Sequence, residues 1–213
     1  MARLTNVRMR SMLLLVQFVS IICSGIEFRQ PDELFSVNGE LNATLVFGDI
    51  TVNYFDSGLI AKGQAVDKFH TLGFNGKTPG PTLRVRAGDT VRIRLMNVLP
   101  PELVSTETVK INKFREFDVV NLHTHGLHVS PRKPGDEVVK TRVDAGDYHD
   151  YVYHIPEDHM GGTHWYHAHW HGSVSIHVNF GAAGMIIVED AAMQARLLVP
   201  ITPTPQPRAQ PAR

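Results

Sequence analysis

Cysteine is almost absent. Of 213 residues one is a cysteine, Cys23, and it lies in the N-terminal segment. The rest of the chain therefore has no disulfide framework, no thiolate metal ligand and no cysteine nucleophile. An excess of one charge is missing too. The 21 basic and 21 acidic residues balance, which excludes a broad electrostatic hold on nucleic acid. No apolar run approaches the roughly 20 residues that cross a bilayer. The run "MLLLVQFVSII" stops after residue 22. There is no H-E-x-x-H, so a zincin-type protease is excluded. "GFNGKT" lacks the first glycine of a phosphate-binding loop, and Pro79 and Pro81 forbid the helix that should follow it. Ser173 in "HGSVS" lacks the glycine-flanked elbow of a hydrolase nucleophile.

What the N-terminus does contain is a targeting pattern. Arg3, Arg8 and Arg10 precede the apolar run, and the small residues of "CSG" follow it. Residues 1–25 are expected to be a secretory signal peptide and the protein to be secreted, with no stable membrane span once the signal is removed. Removal takes three arginines and leaves 18 basic against 21 acidic residues. It also removes Cys23. A bacterial lipid anchor on Cys23 is disfavoured, because Ile22 stands where that signal wants a small residue. The sequon Asn42-Ala43-Thr44 fits an exported chain.

Long amphipathic helices are also missing after residue 25. In their place come short segments punctuated by Gly, Pro and Asp. "GPTLRVRAGDTVRIRLMN" reads as a strand pair with its turn at "AGDT". Leu83 and Val85, then Val91, Ile93 and Leu95, alternate with arginines, which puts the apolar set on a buried face. Further strands are expected in "ATLVFGDITVNYFDSG", "VVNLHTHGLHV", "YHDYVYHI", "GTHWYHAHW" and "AAGMIIVED". Many short strands indicate an all-β sandwich or barrel. "PPELVSTETVKINKFREFD" reads as a longer loop between strands. The expected organisation is a polar lead-in at 26–40, a single domain at 41–192 and a disordered proline-rich tail at 193–213.

Histidine is the residue in excess. Eleven of the twelve lie between His123 and His177. "NLHTHGLHV" and "GGTHWYHAHW" each hold a pair at i and i+2, His123 with His125 and His167 with His169. On a strand, alternate side chains share a face, so two such strands side by side offer four imidazoles to one metal cluster. An imidazole-only donor set suits copper or zinc, with iron and nickel behind them. One H-x-H is weak, but two in strand-like contexts with glycine nearby form a specific pattern. The plainer reading, a histidine satisfied by backbone hydrogen bonds, fits His70, His149, His154, His159 and His177 better. His128, His164 and His171 lie between the two readings, and His171 shares the parity of His167 and His169.

"NLHTHG" and "WYHAH", preceded by "GKTPGPTLRVRAGDTVRIRLMN", resemble the N-terminal plastocyanin-like (cupredoxin) domain of multicopper oxidases, the laccase-like enzymes. The similarity runs from about Phe74 to Asp190. It implies a Greek-key β-sandwich, in agreement with the periodicity. It further implies that His123 binds the type 2 copper of a trinuclear cluster and that His125, His167 and His169 bind the type 3 pair. Asp136 in "KPGDEV" matches an acid that assists proton delivery to dioxygen, with Glu137 as the fallback. The family's cluster takes half of its histidines from a second cupredoxin domain, which also supplies type 1 copper through an H-C-H segment. No such segment occurs here. The resemblance therefore implies half of a trinuclear site, with oxidase activity toward diphenols or metal ions only if a second cupredoxin domain or an oligomeric partner completes it. The other readings are a non-catalytic extracellular copper-binding or interaction protein and, behind it, a zinc enzyme with an open histidine site.

Overall fold

The computed structural model describes residues 30–53, 68–101 and 113–190. The expected signal peptide and proline-rich tail, and most of the loop expected after Asn97, lie outside the described residues. Among the described residues nine strands and one short helix follow in order. They are β1 (Glu33–Phe35), β2 (Glu40–Asn53), β3 (Lys68–Phe74), β4 (Thr82–Arg86), β5 (Thr90–Asn97), β6 (Leu122–His125), β7 (Tyr148–His154), β8 (Gly162–Ala168), α1 (Val174–Asn179) and β9 (Ala183–Glu189). β1 arises within the stretch read as a polar lead-in.

Two sheets face each other. One has the order β1-β4-β9-β8-β6 and the other β3-β2-β5-β7. Both are mixed: β4 runs parallel to β1 and β9, whereas β8 is antiparallel to β9 and β6. Neighbours within a sheet are mostly not neighbours in sequence, as the sheet-to-sheet connections of a Greek-key sandwich require.

The period-two reading of "LRVRAGDTVRIRL" holds for burial. Leu83, Val85, Val91, Ile93 and Leu95 are all buried, while Arg92 and Arg94 are exposed. It does not hold for pairing, because β4 and β5 lie in different sheets and β5 pairs with β2 and β7. The turn itself is tight. The Arg86 N–H donates to Asp89 Oδ2 at 2.7 Å and the Asp89 N–H to the Arg86 carbonyl at 3.1 Å. The chain uses it to cross the sandwich. Both apolar faces then meet in one core from opposite sides, which alternation alone cannot distinguish from a hairpin.

That core is continuous from Leu41, Leu45 and Phe47 of β2 to Tyr166 of β8 and Ile186 and Val188 of β9. Two of its three tyrosines, Tyr151 and Tyr166, also make hydrogen bonds. Tyr151 Oη accepts the Leu122 N–H at 3.0 Å, and Tyr166 Oη donates to the Pro81 carbonyl at 2.8 Å. Leu122 and Tyr166 each immediately precede a histidine of interest, so both histidine strands are pinned from behind. Burial raises both phenol pKa values, and the hydroxyls stay neutral.

Tyr166 lies flat on Gly184, where a Cβ would sit 2.3 Å from the ring. Gly184→Ala is therefore expected to cost about 2 kcal/mol through overpacking. The check is urea denaturation, where an unchanged midpoint would contradict this packing.

Candidate metal centre

β6 is the edge strand of the five-stranded sheet and pairs antiparallel with β8. In that register His123 stands opposite His167 and His125 opposite Trp165. Leu122, Thr124, Tyr166 and Ala168 point into the core. The intervening positions put His123, His125, Trp165 and His167 on the outer face. One potential ligand nitrogen from each of His123, His125 and His167 lies within 4.8 Å of the other two. His169 follows the last residue of β8, and its ring centroid is 4.9 Å from that of His123 and 5.4 Å from that of His167. The structure therefore brings together all four histidines of the two H-x-H pairs.

Hydrogen bonds fix the tautomers. The Nδ1–H of His167 donates to the Ala168 carbonyl at 2.8 Å, leaving Nε2 with its lone pair. That Nε2 is 3.0 Å from Nε2 of His125, which must carry the proton between them in the metal-free chain. His123 donates its Nδ1–H to Asp136 Oδ2 at 2.8 Å. Asp136 also accepts from the Thr124 N–H at 3.1 Å and the Thr124 hydroxyl at 3.2 Å. One carboxylate thus covers the open edge of β6 and orients His123, the arrangement in which an imidazole keeps Nε2 for a metal. Glu137 instead accepts from Val139, Lys140 and Thr141 in a local turn.

The electrostatics favour neutral rings. Desolvation by burial, outweighing the bond to Ala168 and helped by the neighbouring histidines, lowers the pKa of His167 to about 4. Desolvation and then the charge of His123 lower those of His125 and His169. A ligating imidazole must be neutral, so the site is prepared for a cation before one arrives. A donor set of imidazoles, with the one nearby carboxylate turned to a ring N–H, fits copper or zinc.

The supporting residues were only partly legible in sequence. Trp165 stacks on His125 at 4.4 Å and on His167 at 4.5 Å, and its i, i+2 relation to His167 was the available signal. Asn121, fully buried, accepts the His169 N–H at 3.0 Å and donates to the Val138 carbonyl at 3.0 Å. Its place at the head of the motif "NLHTHG" was the available signal, though not for this bond. His159 is held by backbone on both nitrogens, to the His128 N–H and the Met160 carbonyl. His177 is fully buried, with Nε2 donating to the Phe117 carbonyl at 2.8 Å. His70 and His154 reach threonine hydroxyls and not backbone, and His149 packs edge-on against Tyr151 with its Nε2 unpartnered. The parity expected for His171 does not apply, because β8 ends at Ala168 and His171 sits in the following turn. Gly126 adopts φ +82°, and a Cβ there would lie 2.4 Å from Nδ1 of His164. His164 thus packs against the turn that follows His125.

Removal of the Asp136 carboxylate is expected to weaken copper binding by about 10- to 100-fold, the usual effect of losing the partner of a ligating imidazole. Competitive titration of Asp136→Ala with Cu(II) checks this, and an unchanged affinity would mean that the bond to His123 does not serve the metal.

A two-sheet sandwich that gathers imidazoles from adjacent strands on one outer face defines a cupredoxin-type metal-binding domain. The chain belongs to the multicopper oxidase family, whose model matches residues 61–193. It is 31% identical over 153 residues to the iron transport multicopper oxidase FET3 of Candida albicans, covering 70% of this chain and 21% of that protein. It is also 31% identical over 121 residues to L-ascorbate oxidase of Nicotiana tabacum, covering 55% of this chain and 17% of the relative. The solved multi-copper oxidase of Pediococcus acidilactici shares the fold, with a TM-score of 0.59 at 21% identity over 83% of this chain and 32% of the other. The chain spans about a fifth of the length of these curated relatives. Copper is the metal this family implies. Among the described residues no helix is long and apolar enough to cross a membrane.

Proposed function

We propose that this chain is a copper-binding cupredoxin domain of the multicopper oxidase type that supplies half of a trinuclear copper site. The observation that carries the reading is the convergence of His123, His125 and His167 within 4.8 Å, with the Nδ1–H of His123 and of His167 tied back to Asp136 and Ala168. In this reading His123 is the type 2 ligand, and His125, His167 and His169 are the type 3 ligands. Asp136 accepts the His123 Nδ1–H and is assigned the proton-delivering role in dioxygen reduction. Bound copper would supply the one-electron chemistry by which dioxygen is reduced to water.

A second cupredoxin domain or an oligomeric partner completes the site. The surface it would meet is the outer face of the five-stranded sheet, where Trp165 and Met185 are paired across β8 and β9 and are 38% and 40% exposed. With that partner the activity is oxidation of diphenols or metal ions. The domain runs over residues 41–192, with β1 of the lead-in joined to its five-stranded sheet, between a secretory leader at 1–25 and a tail at 193–213, and acts outside the cell. The second reading is a non-catalytic extracellular copper-binding or interaction protein, in which the same histidines hold copper without a partner domain.

Copper per chain, measured by elemental analysis across the size-exclusion peak, tests the proposal. One copper or more per chain in an oligomer or heterocomplex, together with oxygen uptake on a diphenol, supports the composite oxidase. Stoichiometric copper in a monomer with no oxygen uptake supports the non-catalytic reading. A monomer that leaves copper behind contradicts both.

A further inference from the structure

His169 stands beyond the end of β8, so no strand ladder fixes its side chain. The chain then turns through His171 and Gly172 into α1, and a group of side chains from distant segments grips that turn. Trp170 donates its indole N–H to Glu116 Oε2 at 3.0 Å. Glu116 also accepts from Arg142, and Arg115 Nε lies 3.4 Å from it. The Arg142 guanidinium lies over the Trp170 ring, 5.3 Å from its centroid, and donates to Asp144 at 2.8 Å. The Arg115 N–H donates to the Gly172 carbonyl at 3.1 Å. Gly172 has φ +110°, and a Cβ there would lie 2.6 Å from Arg115 Cγ. Glu116 itself adopts φ +53°, a left-handed conformation that a non-glycine residue holds only when its surroundings impose it.

The group is charge-assisted. Burial tends to raise the Glu116 pKa, but bonds from Arg142 and Trp170 outweigh it and hold the carboxyl below its ordinary range. Ionised acceptors make the stronger hydrogen bonds. Glu116 and Arg142 touch none of the four paired histidines in any contact described above, so metal ligation does not explain them. Their common target is Trp170, the residue bonded directly to His169.

We propose that Glu116, Arg142 and Trp170 are positioning residues that aim the imidazole of His169 at the metal centre. The inference rests on the reading of His169 as a copper ligand, and it accounts for how a histidine outside the sheet reaches a site built on the sheet. Sheet pairing fixes His123, His125 and His167, whereas His169 is fixed by Asn121 on its backbone and by this clamp on its neighbour.

The deciding experiment needs no metal. The full chain is treated with diethyl pyrocarbonate, and the rate of modification at each histidine is read by peptide mass spectrometry. Trp170→Phe keeps a ring beneath Arg142 but removes the indole donor, and Glu116→Gln keeps the shape but removes the charge. Both are expected to speed modification of His169 several-fold while His123, His125 and His128 keep their rates. A general rise at all histidines with a lowered melting temperature, or no change at His169 in either variant, overturns the inference. A Cu(II) titration of wild type, His167→Ala and Trp170→Phe separates this result from the proposed function. Failure of wild type to bind copper would remove the copper reading, and with it the target of the clamp. Normal binding by wild type with about a 10-fold loss in Trp170→Phe supports both.

Discussion

His167→Ala is expected to cost at least about 100-fold in copper affinity, more than the loss of any supporting residue. Three features make this histidine the one to remove. It stands directly opposite His123 in the β6–β8 register and is 3.0 Å from His125 through the two Nε2 atoms. It is also only 5% exposed, so it cannot be replaced by a surface ligand swinging in. Its Nδ1–H is committed to the Ala168 carbonyl, which leaves one nitrogen with one direction. The variant should still fold, since a neutral imidazole is lost from the outer face of the sheet and not from the central core. Titration with Cu(II) beside the wild type, with far-ultraviolet circular dichroism as the folding control, checks the expectation. Copper binding that survives in a folded variant would remove His167 from the site.

Acid is expected to destabilise the metal-free chain earlier than carboxylate titration alone would. His125, His149, His164, His167, His169 and His177 all have their pKa values lowered, with desolvation the largest cause in each. The unfolded chain regains the ordinary histidine value near 6.5, so below that pH it binds more protons than the folded chain. Stability from these groups is therefore fully present above about pH 6.5 and is lost as pH falls, for His167 down to about pH 4. His167 alone is expected to account for about 2 kcal/mol between pH 7.5 and 5. His177 adds to the loss, because its Nδ1 is buried without a partner and a proton there would have no acceptor. Below pH 5 the titration of Glu116, Glu137 and Asp150, whose pKa values are also lowered, joins in. Urea denaturation at pH 7.5, 6.5, 5.5 and 5 isolates the histidine window. A flat profile there would contradict the burial of these rings, and a shallower slope in His167→Ala would assign its share.

Much of this structure was legible in sequence because the physics involved is local. Period-two alternation told which of Leu83 to Leu95 face inward, and the i, i+2 spacing of histidines put two rings on one side of each strand. Register between β6 and β8 was not legible, since opposition of His123 and His167 depends on where two distant strands meet. The separation of β4 and β5 into two sheets is hidden for the same reason, as a hairpin and a sheet-to-sheet crossover carry one pattern. The tasks of Asn121 and Glu116 were invisible, because an asparagine or glutamate in a loop acquires its task only from long-range partners. Asp136 could be placed near the site by the family motif, but its bond to His123 Nδ1 needed coordinates. His171 keeps the i, i+2 spacing but lies past the end of β8, where that spacing no longer sets a face.

Anomalous diffraction at the copper edge from crystals grown with Cu(II) tests the central claim most directly. The account predicts copper density on the outer face between β6 and β8, in contact with His123, with His125 and His167, and with His169. Copper found instead among His128, His159 and His164, or no ordered copper beside the four paired histidines, would contradict it.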